Sequence, residues 1–293
     1  LTLSPRQRIV IWRDIQATLR AGVDTRELEK AYAYQGIDTC AATGLCAQRC
    51  PVGINTGELV KKLRARSANN LKTADWLGNH FATTLQGVRF TLHAANGARM
   101  LLGAPRLAML SGALSKLSKG RVPQWTNAMP QPERAVRFSP PVKDARPRVV
   151  YLAACVSRVM GPAAGDSEQM SLLAKTQGLL EKAGYQVVFP DNLDSLCCGQ
   201  PFASKGYAEQ AEHKRQELIG ALLHASRGGV DPIYCDTSPC TLRLVQDLGE
   251  TRLDLYDPVR FIRTHLVDKL NFTPQAAPIA VHVTCSTQHL GES

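Results

Sequence analysis

The stretch RVVYLAAC (148–155), followed by DSEQMSLLAKTQGLLEKAG (166–184) and YQVVFP (185–190), decides the fold class of this chain. The first and third segments are short apolar runs rich in β-branched and aromatic residues, which is typical of buried strands. The middle segment has the length and spacing of an amphipathic helix that ends at Gly184. A strand, a helix and a second strand in this order predict a parallel α/β sheet.

The same alternation continues toward the end of the chain. Three further predicted helices alternate with three further predicted strands: helices 204–226, 241–249 and 258–270, and strands PIYCDTS (232–238), LDLYD (253–257) and PIAVHVTC (278–285). Cys155, Cys235 and Cys285 fall at or just beyond the carboxyl ends of predicted strands. Open parallel sheets bind ligands at that edge, so we expect a ligand site there.

The chain before residue 147 has a different pattern. Residues 1–70 predict short helices around a cysteine-containing loop, and residues 71–146 begin as helices and then become proline-rich. The stretch VPQWTNAMPQPERAVRFSPPVKDARP (122–147) holds six of the 17 prolines, which predicts an extended linker. The predicted division is a helical domain over 1–70, a basic helical segment with its linker over 71–146, and an α/β domain over 147–293.

The composition excludes several classes of protein. The 293 residues are 44% hydrophobic and 20% charged, so the chain is not disordered and can bury the cores of two domains. Its most apolar stretch is interrupted by Pro105 and Arg106, which excludes a predicted membrane span. The first residues lack the apolar core and cleavage site of a secretory signal, and the start at Leu1 predicts a fragment or a processed product.

The nine cysteines occur in clusters, and an odd number does not fit a framework of disulfides. Clustered cysteines in a long chain without a secretory signal indicate metal or redox sites in a reducing compartment. We therefore expect a cytoplasmic protein.

The net charge of +10 is concentrated in one segment. Residues 60–146 contain fifteen Lys and Arg against Asp75, Glu133 and Asp144, a net charge of +12. Such a segment predicts a surface that faces phospholipid headgroups, an acidic partner or nucleic acid. Nucleic acid is the least favoured, because aromatic residues are few and no nucleic-acid-binding motif occurs.

Large apolar side chains lie among the basic residues of 76–121. A basic amphipathic helix can lie on an anionic membrane surface, so peripheral membrane contact through 71–121 is one interpretation. The simpler interpretation is a set of helices packed on their neighbours, with a solvated basic face.

The helical domain carries the motif CAATGLCAQRCPVG (40–53), or C-x5-C-x3-C-P. The cysteine motif of bacterial ferredoxins is C-x2-C-x2-C-x3-C-P. When the two motifs are aligned on their Cys-Pro ends, Cys40, Cys46 and Cys50 correspond to the first, third and fourth cysteines of the ferredoxin motif, and Thr43 stands in place of the second. The spacing predicts an iron–sulfur site, with zinc and unligated thiols as alternatives. It resembles the iron–sulfur subunit of succinate dehydrogenase, where this spacing serves a three-iron cluster. We expect Cys50 to serve a neighbouring cluster completed by a run before the start of this chain.

A second group of cysteines lies in the predicted α/β domain. Its members are Cys155, Cys197, Cys198, Cys235, Cys240 and Cys285. Adjacent cysteines rarely pair with each other, whereas a Cys-Cys-Gly loop suits two metal-bound thiolates with Gly199 allowing close backbone approach. An iron–sulfur centre, a zinc site and the remnant of a cluster site remain open. His282 and His289 flank Cys285, and we interpret both as hydrogen-bonded groups rather than ligands.

This pattern resembles the cysteine-rich "CCG" domain of heterodisulfide reductases, glycolate oxidase iron–sulfur subunits and flavin-linked D-lactate dehydrogenases. The family pattern is Cys, then CCG, then C-x2-C, usually twice in tandem. Four cysteines match it by position: Cys155, Cys197, Cys198 and Cys240. The remaining cysteine of the family would fall at Thr237, and this chain has Cys235 instead. VHVTCSTQHLG resembles the opening of a second repeat that begins with Cys285, which implies a chain truncated within that repeat.

The whole chain resembles the carboxyl-terminal half of large bacterial FAD-linked D-lactate dehydrogenases. The resemblance implies an α-helical ferredoxin-like domain followed by a parallel α/β CCG domain, with [4Fe-4S] and/or [3Fe-4S] clusters. It also implies FAD on an amino-terminal half, oxidation of a D-2-hydroxy acid there, and electron transfer to a quinone or cytochrome acceptor in the cytoplasm or at the inner membrane.

This portion would be inactive alone, because it shows no nucleotide-binding glycine motif, no Ser/His/Asp arrangement and no paired carboxylates. The alternatives are a separate subunit of the glycolate oxidase type and a non-redox zinc or scaffold module.

Overall fold

The computed structural model describes residues 2–68, 70–133, 145–246, 248, 252–274 and 276–291. The amino-terminal part is helical, with the following α-helices: α1 Pro5–Arg20, α2 Arg26–Tyr32, α3 Leu45–Gln48, α4 Thr56–Arg66, α5 Leu71–Asn79, α6 Phe81–Leu102 and α7 Ala104–Leu117. A π-helical segment, Ala33–Asp38, extends α2 toward the first cysteine.

The first helices form a small core that supports the cysteine loop. Helix α1 begins at a capping box, in which the Ser4 hydroxyl and the Gln7 side chain each accept a hydrogen bond from the other residue's backbone N–H. Ile15, Tyr32 and Leu63 from α1, α2 and α4 pack together in its interior. The loop with Cys40, Cys46 and Cys50 therefore joins helices that are fixed by their own core.

The carboxyl-terminal part contains a parallel sheet in the order β4-β2-β5-β6. Its strands are β2 Arg148–Leu152, β4 Gln186–Val188, β5 Ile233–Cys235 and β6 Leu255–Tyr256. The α-helices of this part are α8 Cys155–Val159, α9 Leu172–Lys182, α10 Gln200–Lys205, α11 Ala208–Ala225, α12 Ser238–Val245, α13 Pro258–Phe261 and α14 Cys285–His289. Short 3-10 turns lie at Leu193–Ser195 and Val267–Lys269, and a π-helical turn at Ile262–Leu266.

The strands are apolar because helices cover both faces of the sheet. Val149, Val150 and Ile233 are fully buried, as expected for central strands of a parallel sheet. The helix predicted over 166–184 begins later, at Leu172, because the Ser171 hydroxyl caps the backbone N–H of Ala174.

The predicted helix over 204–226 is two helices, α10 and α11. Gly206 ends α10 with φ of +91°, a left-handed conformation that favours glycine. A Cβ at Gly206 would overlap the backbone of Ala65 in α4. This glycine therefore allows the sheet domain to lie directly against the helical domain.

The strand predicted over 278–285 is wrong. Residues 278–284 lie outside any helix or strand, and Ile279 and Val281 are 77% and 82% exposed. A strand needs a neighbour for its backbone N–H and C=O groups, and none of the described strands lies beside this segment. Cys285 accordingly begins the short helix α14 rather than following a strand.

The linker predicted over 122–147 is partly structured. Pro130–Pro132 forms β1, which pairs antiparallel with β3, Met160–Ala163. The ring of Trp125 is buried, and its backbone N–H donates to the Ser111 hydroxyl at 3.0 Å. Residues 134–144 of the predicted linker lie outside the described residues.

Helices α5 and α6 pack directly on the sheet domain. Ala74 and Phe81 share a small core with Phe202, Ala211 and Cys197. These helices thus cover the loop that carries the adjacent cysteines. Within the described part of the chain, no helix has the length and apolar character that crossing a membrane requires.

Candidate functional site

Five thiols meet at the carboxyl edge of the parallel sheet. They come from the end of β2, the Cys-Cys-Gly loop and the segment from β5 to α12. Each contacts the next in a row, in the order Cys155, Cys197, Cys198, Cys240 and Cys235. The sulfurs of Cys198 and Cys240 are 3.2 Å apart, and all nine cysteines of the chain are free thiols. We call this arrangement the thiol row.

Gly199 shapes the loop that contributes the middle of the thiol row. Its φ is +80°, and a Cβ there would overlap the carbonyl oxygen of Ala211 in α11. Its backbone N–H donates to the sulfur of Cys197 at 3.4 Å. Glycine is therefore needed both for the turn and for its close approach to the helix behind it.

Arg158, one turn after Cys155 on α8, is buried beside the thiol row. Its guanidinium donates to the carbonyl oxygen of Leu196 at 2.7 Å and also to that of Leu193. The carboxylate of Asp194 lies 3.9 Å from the guanidinium. Arg158 therefore fixes the chain just before the adjacent cysteines and places a positive charge next to their sulfurs.

Asp236 ties the ends of two neighbouring strands together. Its carboxylate accepts the backbone N–H of Ala154 at 2.9 Å and the hydroxyl of Tyr151 at 3.1 Å. Burial raises the pKa of this carboxyl above its usual range. The two cysteines beside these residues, Cys155 and Cys235, are thus held at one edge.

Charge is unevenly distributed along the thiol row. The pKa of Cys197 is strongly lowered, because hydrogen bonds with Cys155 and Cys198 favour its thiolate form and Arg158 lies nearby. A hydrogen bond to Cys197, with burial, raises the pKa of Cys155. A hydrogen bond to Cys240, with burial, raises the pKa of Cys235. Of the five thiols, Cys197 is thus the one whose thiolate form is most favoured.

The donors of the thiol row are all sulfur, a set that both zinc and iron–sulfur clusters take. In the part of the chain that the structure describes, no three His, Cys, Asp or Glu side chains form a group that could hold one metal ion. Zinc takes four ligands around one centre, at about 2.3 Å for sulfur. Buried thiolates with N–H and guanidinium neighbours have the softness and hydrogen bonding that iron–sulfur clusters take.

The helical domain presents a second, more open cysteine site. Cys40 and Cys46 line a pocket of about 200 Å³ together with Arg8 and Thr56, and Cys50 is not among its lining residues. The sulfur of Cys46 lies 3.4 Å from the backbone N and 3.3 Å from the hydroxyl of Thr56. Burial by itself raises the pKa of Cys46. The hydrogen bonds from Thr56 and neighbouring backbone groups outweigh burial, so the pKa of this thiol is lowered overall.

Cys50 has its own hydrogen-bonding environment. The backbone N–H groups of Ile54 and Val52 donate to its sulfur and lower the pKa of this thiol. Cys50 does not line the pocket of Cys40 and Cys46, and the prediction that it serves a neighbouring cluster stays a prediction. The cluster itself remains a prediction.

Two arginines hold the cysteine loop. Arg8 donates to the carbonyl oxygen of Gly36 at 2.8 Å. Arg64 donates to the carbonyl oxygen of Cys40 at 2.7 Å and to that of Ser204, in α10, also at 2.7 Å. The loop is thus fixed to both domains.

Cys285 does not join the thiol row. The hydroxyl of the next residue, Ser286, lies 2.6 Å from the hydroxyl of Ser238. Ser238 is the first residue of α12, the helix that carries Cys240. Helix α14 then reaches the other domain, where His289 contacts Thr43 and Gln48. His289 is hydrogen-bonded, as the sequence analysis interprets it.

Sequence reasoning missed the residues that position the cysteines: Arg8, Arg64, Arg158 and Asp236. Two of them had a usable signal, since Asp236 follows a strand-end cysteine and Arg158 lies three positions after Cys155 on a helix. The two arginines of the helical domain had none, because their partners are backbone carbonyls.

No protein-family model matches the chain, and no solved structure matches it either. A curated relative is "Uncharacterized protein YkgE" of Escherichia coli (strain K12), which is 29% identical over 119 residues. The match covers 41% of this chain and 41% of that relative. The chain is therefore similar to less than half of YkgE, whose printed name states no activity.

Proposed function

We propose that this chain is the iron–sulfur electron-transfer portion of a flavin-dependent D-2-hydroxyacid dehydrogenase of the D-lactate type. The observation that carries the iron–sulfur part is the thiol row, in which five cysteines from three segments meet beside a buried guanidinium. The substrate class, the flavin half and the quinone or cytochrome acceptor come from the resemblance of the cysteine motifs.

Two groups of cysteines would hold the clusters. In the sheet domain the ligands would be drawn from the thiol row, and in the helical domain from Cys40, Cys46 and Cys50. A bound cluster accepts and releases one electron at a time, with a potential set by hydrogen bonds, charge and exposure.

The residues around the thiol row favour the negatively charged thiolate form of its cysteines. Hydrogen bonds with Cys155 and Cys198, and after them the backbone N–H of Gly199 and the charge of Arg158, lower the pKa of Cys197, which favours the thiolate that binds iron. Packing of α5 and α6 against the loop, through Phe81 and Phe202, keeps water away from the sulfurs.

Metal content and spectra of the anaerobically purified chain test the proposal. We expect iron and acid-labile sulfide in similar amounts, broad absorption near roughly 400 nm, and paramagnetic signals after reduction. C198S should remove the signal of the sheet-domain cluster and keep that of the helical domain, and C46S should do the reverse.

C285S is the matched control, since Cys285 lies outside the thiol row, and it should keep the sheet-domain signal. Zinc in place of iron and sulfide, bound by the wild type and lost in C198S, would overturn the redox function in favour of a zinc module.

A further inference from the structure

Helix α7 exposes its large apolar side chains and packs its small ones inward. Ser111 is buried, and its hydroxyl accepts the backbone N–H of Trp125. Gly112 lies against the side chain of Gln124. The opposite face carries the exposed residues Met109, Leu110, Leu114 and Leu117. An ordinary surface helix has the reverse arrangement, with its apolar stripe toward the core.

The last turn of α6 extends this apolar face. Met100 and Leu101 precede the corner at Gly103, and Leu101 is 87% exposed, close to the 83% of Leu117. We call the outward side chains of residues 100–121 the α6–α7 surface. Exposed large apolar side chains gathered along two joined helices are typical of a binding surface.

The charges on the α6–α7 surface have one sign. Between Asp75 and Glu133 the sequence contains no acidic residue. Exposed cations accompany the apolar side chains: Arg106, Lys116, Lys119 and Arg121. A surface with exposed leucines, several cations and no carboxylate is complementary to a partner that is apolar beneath an anionic layer.

We propose that the α6–α7 surface binds the surface of an anionic lipid bilayer. Leucine and methionine side chains would enter the boundary between headgroups and acyl chains, while the lysine and arginine heads reach the phosphates. The cores of protein–protein interfaces are depleted in lysine, which disfavours a protein partner here. The helices lie along the bilayer, consistent with none of those described being able to cross it.

This proposal is independent of the electron-transfer function, because lipid binding uses no cysteine. Flotation of the 293-residue chain with vesicles provides the test. We expect binding to vesicles of phosphatidylethanolamine and phosphatidylglycerol, and at least tenfold weaker binding to phosphatidylcholine alone. High salt should weaken the binding to anionic vesicles, since it screens the cations.

Two double variants and a matched control test whether the α6–α7 surface is the part of the chain that binds vesicles. L110E/L117E should reduce binding to anionic vesicles at least tenfold. The matched control is V10E/V230E, which introduces the same charge at exposed valines elsewhere and should bind as the wild type does. R106Q/K116Q removes charge without adding any and should also weaken binding, so the test does not depend on one variant folding.

Three outcomes would overturn the proposal. One is a wild-type chain that floats with neither type of vesicle. Another is unchanged binding in both L110E/L117E and R106Q/K116Q. The third is a wild-type dimer that L110E/L117E dissociates while vesicle binding is absent, which would assign the surface to a second copy of the chain.

Discussion

The imidazole Nε2 of His289 lies 2.8 Å from the carbonyl oxygen of Thr43, a residue 246 positions earlier in the chain. The side-chain amide of Gln48 donates to the other ring nitrogen, Nδ1, at 3.2 Å. Because an amide nitrogen can only donate, the neutral ring carries its proton on Nε2 and donates it to Thr43. The last described helix thus holds the cysteine loop of the first domain.

Replacement of His289 should loosen that loop. We expect H289A to increase amide hydrogen exchange in peptides covering residues 41–49 and to leave the strands of the sheet unchanged. Hydrogen–deuterium exchange with mass spectrometry measures this directly. H282A, an exposed histidine of the same segment, is the control. Equal exchange in H289A and wild type would mean that the contact does not hold the loop.

Loss of Arg158 should destabilise the sheet domain. R158L leaves the carbonyl oxygens of Leu193 and Leu196 without this buried donor, which costs about 3 kcal/mol of the free energy of unfolding. Urea denaturation gives the value. R26L removes an arginine from an exposed ion pair with Asp24 and should leave the midpoint nearly unchanged. Similar midpoints for R158L and R26L would contradict the role of Arg158.

Alanine substitutions at two glycines distinguish the cost of backbone strain from the cost of steric overlap. Gly199 and Gly184 have φ of +80° and +84°, but only at Gly199 would a Cβ meet another atom, the carbonyl oxygen of Ala211. G184A should cost about 1 kcal/mol for the left-handed backbone alone. G199A should cost at least roughly 3 kcal/mol, because overlap is added to the backbone strain. Equal urea midpoints would show that α11 can move away.

His265 should make the sheet domain sensitive to acid. Its ring packs against Phe261 and Tyr256, with centroids 4.6 and 4.8 Å apart, and burial lowers its pKa below the usual 6.5. The folded state therefore binds this proton less readily than the unfolded chain does. The resulting stability is present above about pH 6.5 and is lost as the pH falls through the folded-state pKa.

H265F keeps the aromatic packing and removes the titration. Between about pH 7.5 and pH 5 the wild type should lose more stability than H265F, as urea midpoints at the two values will show. Equal losses would mean that other groups determine the acid sensitivity.

The strands β2, β4, β5 and β6 were predictable because their apolar runs are local. The segment 278–285 has a similar run, but a strand also requires a neighbour, and pairing depends on residues far away in sequence. Its valine and isoleucine therefore lie exposed instead of in a sheet. Local pattern identifies a strand-forming stretch, whereas topology decides whether it pairs.

In the candidate site, too, the features set by local sequence were predictable and those set by distant contacts were not. The cysteines were visible from their spacing, and their convergence in the sheet domain follows from the ends of parallel strands. The groups that position them were harder to predict: the place of Arg158 one turn after Cys155 was a signal, but its partners are carbonyls 35 and 38 residues later in the chain. Any arginine can donate to a carbonyl, so no residue type marks such a partner. The inverted face of α7 was equally hidden, since composition does not reveal which side of a helix is covered.

Arg64 links the loop of Cys40 to α10, the helix that follows the adjacent cysteines. Because Gly206 also lets the two domains touch at Ala65, the domains cannot swing apart at this point without breaking both contacts. In an electron carrier, tunnelling slows steeply as donor and acceptor separate. By bonding both domains, the Arg64 guanidinium holds the two cysteine sites at a constant separation. Under the proposed electron-transfer function, this contact would keep the tunnelling distance between the two sites constant while the rest of the molecule fluctuates.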